Sequence, residues 1–561
     1  MSVSVLRHRV VDLHTRTIRG CEIEIKNGRI ASMLPCDQDL QPGFLLPGFI
    51  DAHVHIESSM LPPSEFARVV TAHGTVGVVC DPHEIANVLG EDGIEFMLQD
   101  AAQRNFHFHF GCPSCVPATE FETAGASIDA QAVAKLLSDP RIGYLSEMMN
   151  WPGVLQGDAQ VLAKIAAAKA LGKPVDGHAP QVMGEQARRY AAAGISTDHE
   201  CISLAEARDK AAAGMHILIR EGSAARNFEA LWPMLKECPQ QCMFCTDDAH
   251  PDVLRTGHIN ALVARAVAKG VDIFDALIAA CVNPVQHYGL GCGLLRQGDS
   301  ADCVLVTDLQ SCSVVRTWVR GECVAQHGAC MWKRLPVQTP NRFRAAQFLP
   351  SHFCVPALSQ AMDAQRSIAH ASSVAVRVIE PTDGELVTGE RTHQLPVRDG
   401  CVEPAISNNE HVAFITVVNR YSDAPPAVAF ISGFGLGPGA IAASVAHDCH
   451  NVVAVAGSRE ALSAIVNAVF AARGGLAIFD GESTRVLSLP IAGLMSDQPF
   501  EIVAEHYEQF TRLAQRLGSP LRAPFMTLSF MTLLVIPVLK LSDRGLFNGR
   551  QFRFVDVIVK S

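Results

Sequence analysis

Eight short apolar runs, nearly all turning polar at the C-terminal end, set the strongest limit on what this chain can fold into. They are "GFLLPGFIDAHVH", "GTVGVVCDPHE", "FHFHFGCPSC", "RIGYLSEMM", "KPVDGHAP", "GISTDHEC", "MHILIREGS" and "QCMFCTDDAH". Between them lie Ala-rich segments such as "DAQVLAKIAAAKALG" and "QVMGEQARRYAAAG", with helix-spaced apolar positions and a terminal Gly. Strands alternating with helices imply right-handed crossovers and a parallel sheet. Eight such units predict an α/β protein built on a (β/α)8 barrel over residues 46–293.

The flanks of that region read differently. "CEIEIKNGRIASM" before it and "GDSADCVLVTDLQSCSVVRTWVRGECV" after it are strand-turn-strand patterns with "NG" and "RG" as turns. They predict one small β-domain made of residues 1–45 together with 294–330. "KRLPVQTPNRFRAAQFLPSHFCVPA" loses periodicity and repeats Pro, so residues 331–364 read as a linker to a C-terminal mixed α/β domain over 365–561. In that domain "GFGLGPG" lacks the Lys and Ser/Thr of a phosphate loop and puts Pro438 where a backbone donor is needed, which excludes nucleotide binding there. The same stretch leads into an expected helix, "AIAASVA", with His447 and His450 of "HDCHN" near its end. Those two histidines either finish that helix or cap the barrel mouth.

Charge narrows the partners. Lys plus Arg number 46 against 57 Asp plus Glu, a formal net charge of -11 that offers no basic field to nucleic acid or anionic lipid. A small-molecule substrate, with no nucleic acid and no membrane, fits better. The opening "MSVSVLRHRVVDLHTRTIRG" lacks the apolar core of an export signal, and no segment reaches the roughly 18 apolar residues of a spanning helix, so a cytoplasmic protein is expected. The 18 Cys then read as reduced, buried small hydrophobes without structural disulfides. The CxxC pairs Cys112/Cys115 and Cys242/Cys245 are expected to pack rather than bind metal, the second pair facing opposite ways on a strand.

The polar residues at the run ends carry the chemistry. His53 and His55 share one face of the first strand, as residues two apart do. With His178 and His199 ending two later strands, Glu147 on the fourth and Asp247 on the eighth, they converge at the strand end where barrel enzymes collect catalytic groups. Four imidazoles and two carboxylates suit a pair of divalent ions such as Zn, Mn or Fe, with one carboxylate bridging. Asp51 is expected behind them, orienting an imidazole. His107 and His109 repeat the HxH spacing mid-strand without an acidic partner and read as structural.

"PGFIDAHVH", "DGH", "DHE" and "CTDD" resemble the amidohydrolase superfamily, and "HIESSM", "DPHEIANV", "SCVPA", "EMMNWPGV", "IREGSAARN" and "CTDDAHP" resemble its bacterial adenine deaminases. The likeness runs on through "GGLAIF", "LPIAGLMS" and "VIPVLKLSDRGLF", nearly the whole chain. It implies a binuclear centre, Mn or Fe favoured, held by His53, His55, Glu147, His178, His199 and Asp247, and hydrolysis of adenine to hypoxanthine and ammonia in purine salvage. It also implies a homo-oligomer, although the helical extension often found before the first strands of this family does not precede "VVDLHTRTIRG" here. Glu147 stands where many amidohydrolases place a carboxylated Lys. In the mechanism so implied, a hydroxide bridging the ions attacks C6, Asp247 shuttles a proton to the departing nitrogen and Glu84 donates to a ring nitrogen. Arg220 and Ser223 are candidate contacts to the purine edge. The competing expectation is another amidohydrolase acting on a cyclic amide or a different aminopurine, for which "HIESSM" and "DPHE" argue less well.

Overall fold

The computed structural model describes residues 3–357, 372–407 and 410–559. Strands β1 (Val3–Asp12), β2 (Thr17–Lys26), β3 (Arg29–Pro35) and β4 (Phe44–Pro47) come first. Eight short strands follow: β5 (Phe49–Val54), β6 (Thr75–Cys80), β7 (His107–Cys112), β8 (Ile142–Met148), β9 (Val175–Gly177), β10 (Thr197–Asp198), β11 (His216–Arg220) and β12 (Cys242–Cys245). After them come β13 (Cys303–Val306), β14 (Val314–Val319), β15 (Glu322–Gln326) and β16 (Ala329–Cys330).

The outer members of this series form a single eight-stranded sheet in the order β16-β15-β14-β13-β4-β1-β2-β3. Two of its turns are built alike. Asn27 and Gly28 have φ of 53° and 75°, and Arg320 and Gly321 have φ of 47° and 77°, the left-handed pair that a two-residue hairpin turn demands. A Cβ on Gly28 would lie 2.6 Å from the carbonyl oxygen of Arg320, so the two hairpin tips meet where only glycine fits.

The first apolar run is divided by "PG". Pro47 ends β4 in the antiparallel sheet, and after Gly48 the chain enters β5, the first strand of a different, parallel sheet. Gly48 is required by crowding, since a Cβ there would come 2.3 Å from Val76 Cγ1.

Strands β5 to β9 form a five-stranded parallel sheet and β10 to β12 a three-stranded one, every neighbour parallel. Backbone hydrogen bonds join the two sheets at both ends. Ser196 N donates to Val175 O (2.9 Å), while His55 N donates to Asp247 O (3.1 Å) and Asp247 N to His53 O (2.9 Å). Ala52, Val79, Tyr144, Leu218, Met243 and Cys245, from β5, β6, β8, β11 and β12, pack together inside. Between the strands run helices with the expected local signals. In Ala159–Ala170 the Asp158 side chain accepts Val161 N, the buried face is Val161, Ile165 and Ala168, and Gly172 follows at a φ of 66°. Cys242 and Phe244 join the cluster shared with these helices, whereas Met243 and Cys245 face inward, the alternation expected of a strand.

The C-terminal region is rich in β-structure. Its ten-stranded sheet runs in the order Val355–Pro356, Cys401–Val402, Thr388–Arg398, Ser373–Pro381, Ala427–Ile431, Ala413–Val418, Val452–Ala456, Ala440–Ala443, Gly475–Phe479 and Thr484–Ser488. Helices Arg459–Ala472 and Phe500–Arg516 and a small sheet near the end, starting at Leu539–Ser542, complete it. The expected domain start at residue 365 lies outside the described residues.

Two expectations are corrected here. "AIAASVA" is not a helix: Ala440–Ala443 is a strand paired antiparallel with both Val452–Ala456 and Gly475–Phe479. Its small side chains are buried, so tertiary pairing overrides the helical preference of Ala. The chain also holds a disulfide between Cys354 and Cys401, with Cα atoms 5.5 Å apart. It forms because Val355–Pro356 pairs antiparallel with Cys401–Val402, which brings residues 47 positions apart onto neighbouring strands.

Candidate metal centre

The C-terminal ends of the parallel strands place His53 (β5), His55 just after it, Glu147 (β8), His178 after β9, His199 after β10 and Asp247 after β12 in one buried cluster. His53 Nε2 and His55 Nε2 are 3.2 Å apart, and Asp247 Oδ1 lies 3.4 Å from the first and 3.1 Å from the second. Glu147 spans the group: its Oε1 is 3.3 Å from His55 Nε2, and its Oε2 is 2.7 Å from His178 Nδ1 and 3.1 Å from His199 Nε2. Ligand atoms held about 2.0–2.2 Å from one tetrahedral ion lie about 3.3–3.6 Å from each other, close to the spacing seen.

The donor chemistry fits cations as well. Because His55 Nδ1 donates to the carbonyl of Asp81 (3.1 Å), the neutral ring turns the lone pair of Nε2 toward two carboxylates and a second imidazole. Burial and neighbouring His83 work against protonating His55, yet Asp247 and Glu147 carry its pKa well above the ordinary imidazole value. Burial alone would raise Glu147, but His178, His199 and His55 hold it well below the usual carboxylate range. The cluster asks for positive charge at its centre. Two overlapping trios, His53 with His55 and Asp247, and His53 with Glu147 and His199, bring their ligand atoms close enough to share an ion.

The cage is braced from behind. Lys210, fully buried, donates to Asp198 Oδ1 (2.8 Å), Glu206 Oε1 (2.9 Å) and Ala179 O (2.6 Å), fixing the residues that follow His178 and precede His199. Asp51 does not orient a cluster imidazole. Its carboxylate accepts Thr246 N (3.0 Å), Thr246 Oγ1 (2.5 Å) and, at 3.3 Å, His53 N, and it lies 3.1 Å from His258 Nε2. Pointing away from the strand end, it ties β5 to the segment after β12. Asp247 itself has a φ of 54°, a left-handed conformation uncommon outside glycine and typical of strained functional positions.

Arg220 reaches the pocket, with its guanidinium already engaged. NH1 contacts Glu200 and Asp247 Oδ2 (2.7 Å), and Nε donates to Ala225 O (2.7 Å). Ser223 does not line the pocket. Its hydroxyl accepts His250 N (2.8 Å), which braces the loop. His107 and His109 stay away from the cluster: His107 Nε2 lies 3.0 Å from Asp302 and His109 stacks on Tyr144.

The far wall of the pocket comes from the C-terminal region. Glu84, at the start of helix His83–Leu89, is 2.6 Å from His447 Nδ1 and contacts His450 Nε2 directly. Burial would push Glu84 up, but His447, His450 and His83 hold it well below the ordinary carboxylate range. Burial likewise opposes the charge of His447, and Glu84 outweighs it, raising His447 to about 9. Leu386, Phe530, Leu533 and Met149 supply apolar surface. His447 and His450 are therefore not helix-end residues. They are site residues reached across 366 positions of sequence in the case of His450 and Glu84.

Four polar lining residues have no role in the sequence reading: His83, Glu200, Asp248 and Asp448. The first three sit inside "DPHE", "DHE" and "CTDD", beside residues that do. His83 Nδ1 lies 3.1 Å from Asp81 Oδ2 and 3.3 Å from Glu147 Oε1, and Asp248 Oδ1 accepts Ser58 Oγ (2.5 Å). Asp448 stands between the two histidines of "HDCHN", and no strand-end pattern marks it.

Parallel strands whose ends gather histidines and carboxylates around one pocket define a metal-dependent hydrolase of the amidohydrolase family, and residues 44–324 match that family. Residues 385–553 match the adenine deaminase C-terminal domain. The adenine deaminase of Salinibacter ruber is 52% identical over 553 residues, 98% of this chain and 98% of that protein. Those of Sulfurovum sp. and Methanosarcina mazei are 48% and 46% identical, covering 98% of this chain and 99% and 98% of their own. The chain belongs to the adenine deaminase family. The likeness is not confined to bacteria, since archaeal relatives share it.

Proposed function

We propose that this chain hydrolyses the C6–N bond of adenine, giving hypoxanthine and ammonia in purine salvage. The observation that carries the reading is the convergence of His53, His55, Glu147, His178, His199 and Asp247 on one spot, in a largely polar pocket to which Met149, Leu386, Phe530 and Leu533 add apolar surface. On this reading those six residues would hold two divalent ions (Mn, Fe or Zn), with Glu147, which reaches His55, His178 and His199, central to the set. Ions held there would supply Lewis acidity and a water acidic enough to ionise near neutral pH.

The chain's own groups handle the protons. Asp247 touches both His53 and His55 and is kept ionised by Arg220 against the cost of burial, so it can accept the proton of the attacking water and release it to the departing amino group. Glu84 is ionised too. The proton it delivers to a ring nitrogen is drawn from His447, 2.6 Å away, which makes the two a relay. Arg220 sets the angle of Asp247 and of Glu200, and its free edge faces the purine. The segment around His447 and His450 closes the mouth and keeps bulk water from the reacting centre.

The same reading takes the five- and three-stranded parallel sheets as arcs of one (β/α)8 barrel, supported by the hydrogen bonds at both junctions. It divides the chain into residues 1–45 with 294–330, the barrel over 46–293, a linker over 331–364 and a C-terminal domain to 561. It places a homo-oligomer in the cytoplasm, where the cysteines other than Cys354 and Cys401, all free, would stay reduced. No helix among the described residues is long and apolar enough to cross a membrane.

The test is a panel of 6-aminopurines assayed for ammonia release, with protein loaded separately with Mn, Fe and Zn. Adenine is expected to be the best substrate. No ammonia from adenine with any metal would remove the reading.

A further inference from the structure

Asp448 is a buried carboxylate on the pocket wall, 3% exposed, whose Oδ2 has no hydrogen-bond partner among the described residues. Its other oxygen, Oδ1, lies 3.8 Å from His83 Nε2 and 3.8 Å from His447 Nδ1. A buried acceptor left without a donor costs free energy unless a ligand supplies one. Neither Glu84 nor Asp247 is in that condition, since each faces histidine or arginine on both oxygens.

The position of Asp448 selects the donor. His83 stands between it and the metal-ligating cluster, with Nδ1 3.3 Å from Glu147 Oε1 and Nε2 turned to Asp448. A purine whose C6 meets the cluster has its amino group there, so that group cannot also serve Asp448. The donor left on the far side of the molecule is the N–H of the five-membered ring. That proton exists in the free base and is replaced by the sugar in a 9-substituted nucleoside.

We propose, resting on the adenine reading above, that Asp448 recognises the free base by accepting its imidazole-ring N–H through Oδ2, and so discriminates against 9-substituted purines. The C-terminal region then contributes substrate selection, while the parallel strands contribute the ion-holding cage.

The metal-loaded full-length protein tests this. The KM and kcat for adenine and the inhibition constant of 9-methyladenine are measured for the parent, Asp448→Leu and Asp448→Asn, with metal content determined for each. A hydrogen bond to a charged partner corresponds to about 10-fold to 100-fold in affinity. Asp448→Leu is expected to narrow the preference for adenine over 9-methyladenine by about that factor, through KM, with metal content unchanged. Asp448→Asn, which keeps an oxygen acceptor, should recover part of it. An unchanged preference, or equal weakening of both ligands in both variants, overturns the assignment. If the parent protein releases no ammonia from adenine, the adenine reading falls and takes this one with it. If the parent is active and the preference survives in Asp448→Leu, only the role of Asp448 falls.

Discussion

Replacing Lys210 with Met should destabilise the protein far more than the loss of one surface charge. The three protons of the Lys210 ammonium meet three acceptors, Asp198 Oδ1, Glu206 Oε1 and Ala179 O, and neither carboxylate is exposed. Removing one partner of such a buried network costs about 3–5 kcal/mol, because it leaves charge without compensation. At about 2–4 °C per kcal/mol for a region of 150–250 residues, the melting temperature should fall by about 6–20 °C. The pH dependence fixes the mechanism. Burial alone would raise the pKa of Asp198, and Lys210 reverses that, leaving it below its ordinary value. In the parent, Asp198 therefore adds stability above the ordinary carboxylate range and loses it as pH falls through its folded pKa. In Lys210→Met the largest influence opposing burial is gone, leaving His199 and the backbone donors of Glu200 and Ala179; the expected outcome is that burial then prevails, the folded pKa moves above the unfolded one, and Asp198 opposes folding as pH rises. The gap in melting temperature between parent and variant should be wider at pH 8 than at pH 5, measured by scanning calorimetry. A drop under about 2 °C, or a gap independent of pH, would refute this account of the network.

Other perturbations address the site directly. Glu147→Gln should lose both metal and activity, since a neutral amide is a poor bridge between two cations; a variant that still holds two metals per chain by elemental analysis would show that Glu147 does not bridge. Glu84→Gln should keep its metals and lose about 100-fold to 10,000-fold in turnover, the usual contribution of a general acid-base group, and an unchanged rate would leave Glu84 a purely structural partner of His447 and His450. Changing His447 and His450 together to Ala should raise KM or lower kcat with metal content intact. Kinetics like the parent's would sink both the relay and the cap.

Local chemistry made the strand-end cluster legible. His53, His55, Glu147, His178, His199 and Asp247 each end an apolar run, and the alternation that separates Cys242 from Cys245 follows from strand geometry alone. The places where reading failed all depend on contacts remote in sequence. Asp51 lies on the same strand face as His53, yet the strand's far partner, Thr246, claims its carboxylate. "AIAASVA" has helical composition, but two neighbouring strands impose extension. Cys354 meets Cys401, and His450 meets Glu84, only because the sheet and the domain packing bring them together. Ser223 stands in a string typical of the family, and its hydroxyl is nonetheless spent on a neighbouring backbone amide.

The contact between Glu84 and His450 has a consequence for the order in which the living chain gains its abilities. A ribosome releases the parallel-strand region, whose last helix ends at Tyr288, roughly 160 residues before His450 emerges, and domains tend to fold as units in that order. On the proposed reading, the nascent protein would assemble its cage and take up ions while Glu84 still lacks the histidines it contacts. Metal capture and turnover would then be successive events in the life of one molecule, with the later-made C-terminal region the one that switches chemistry on.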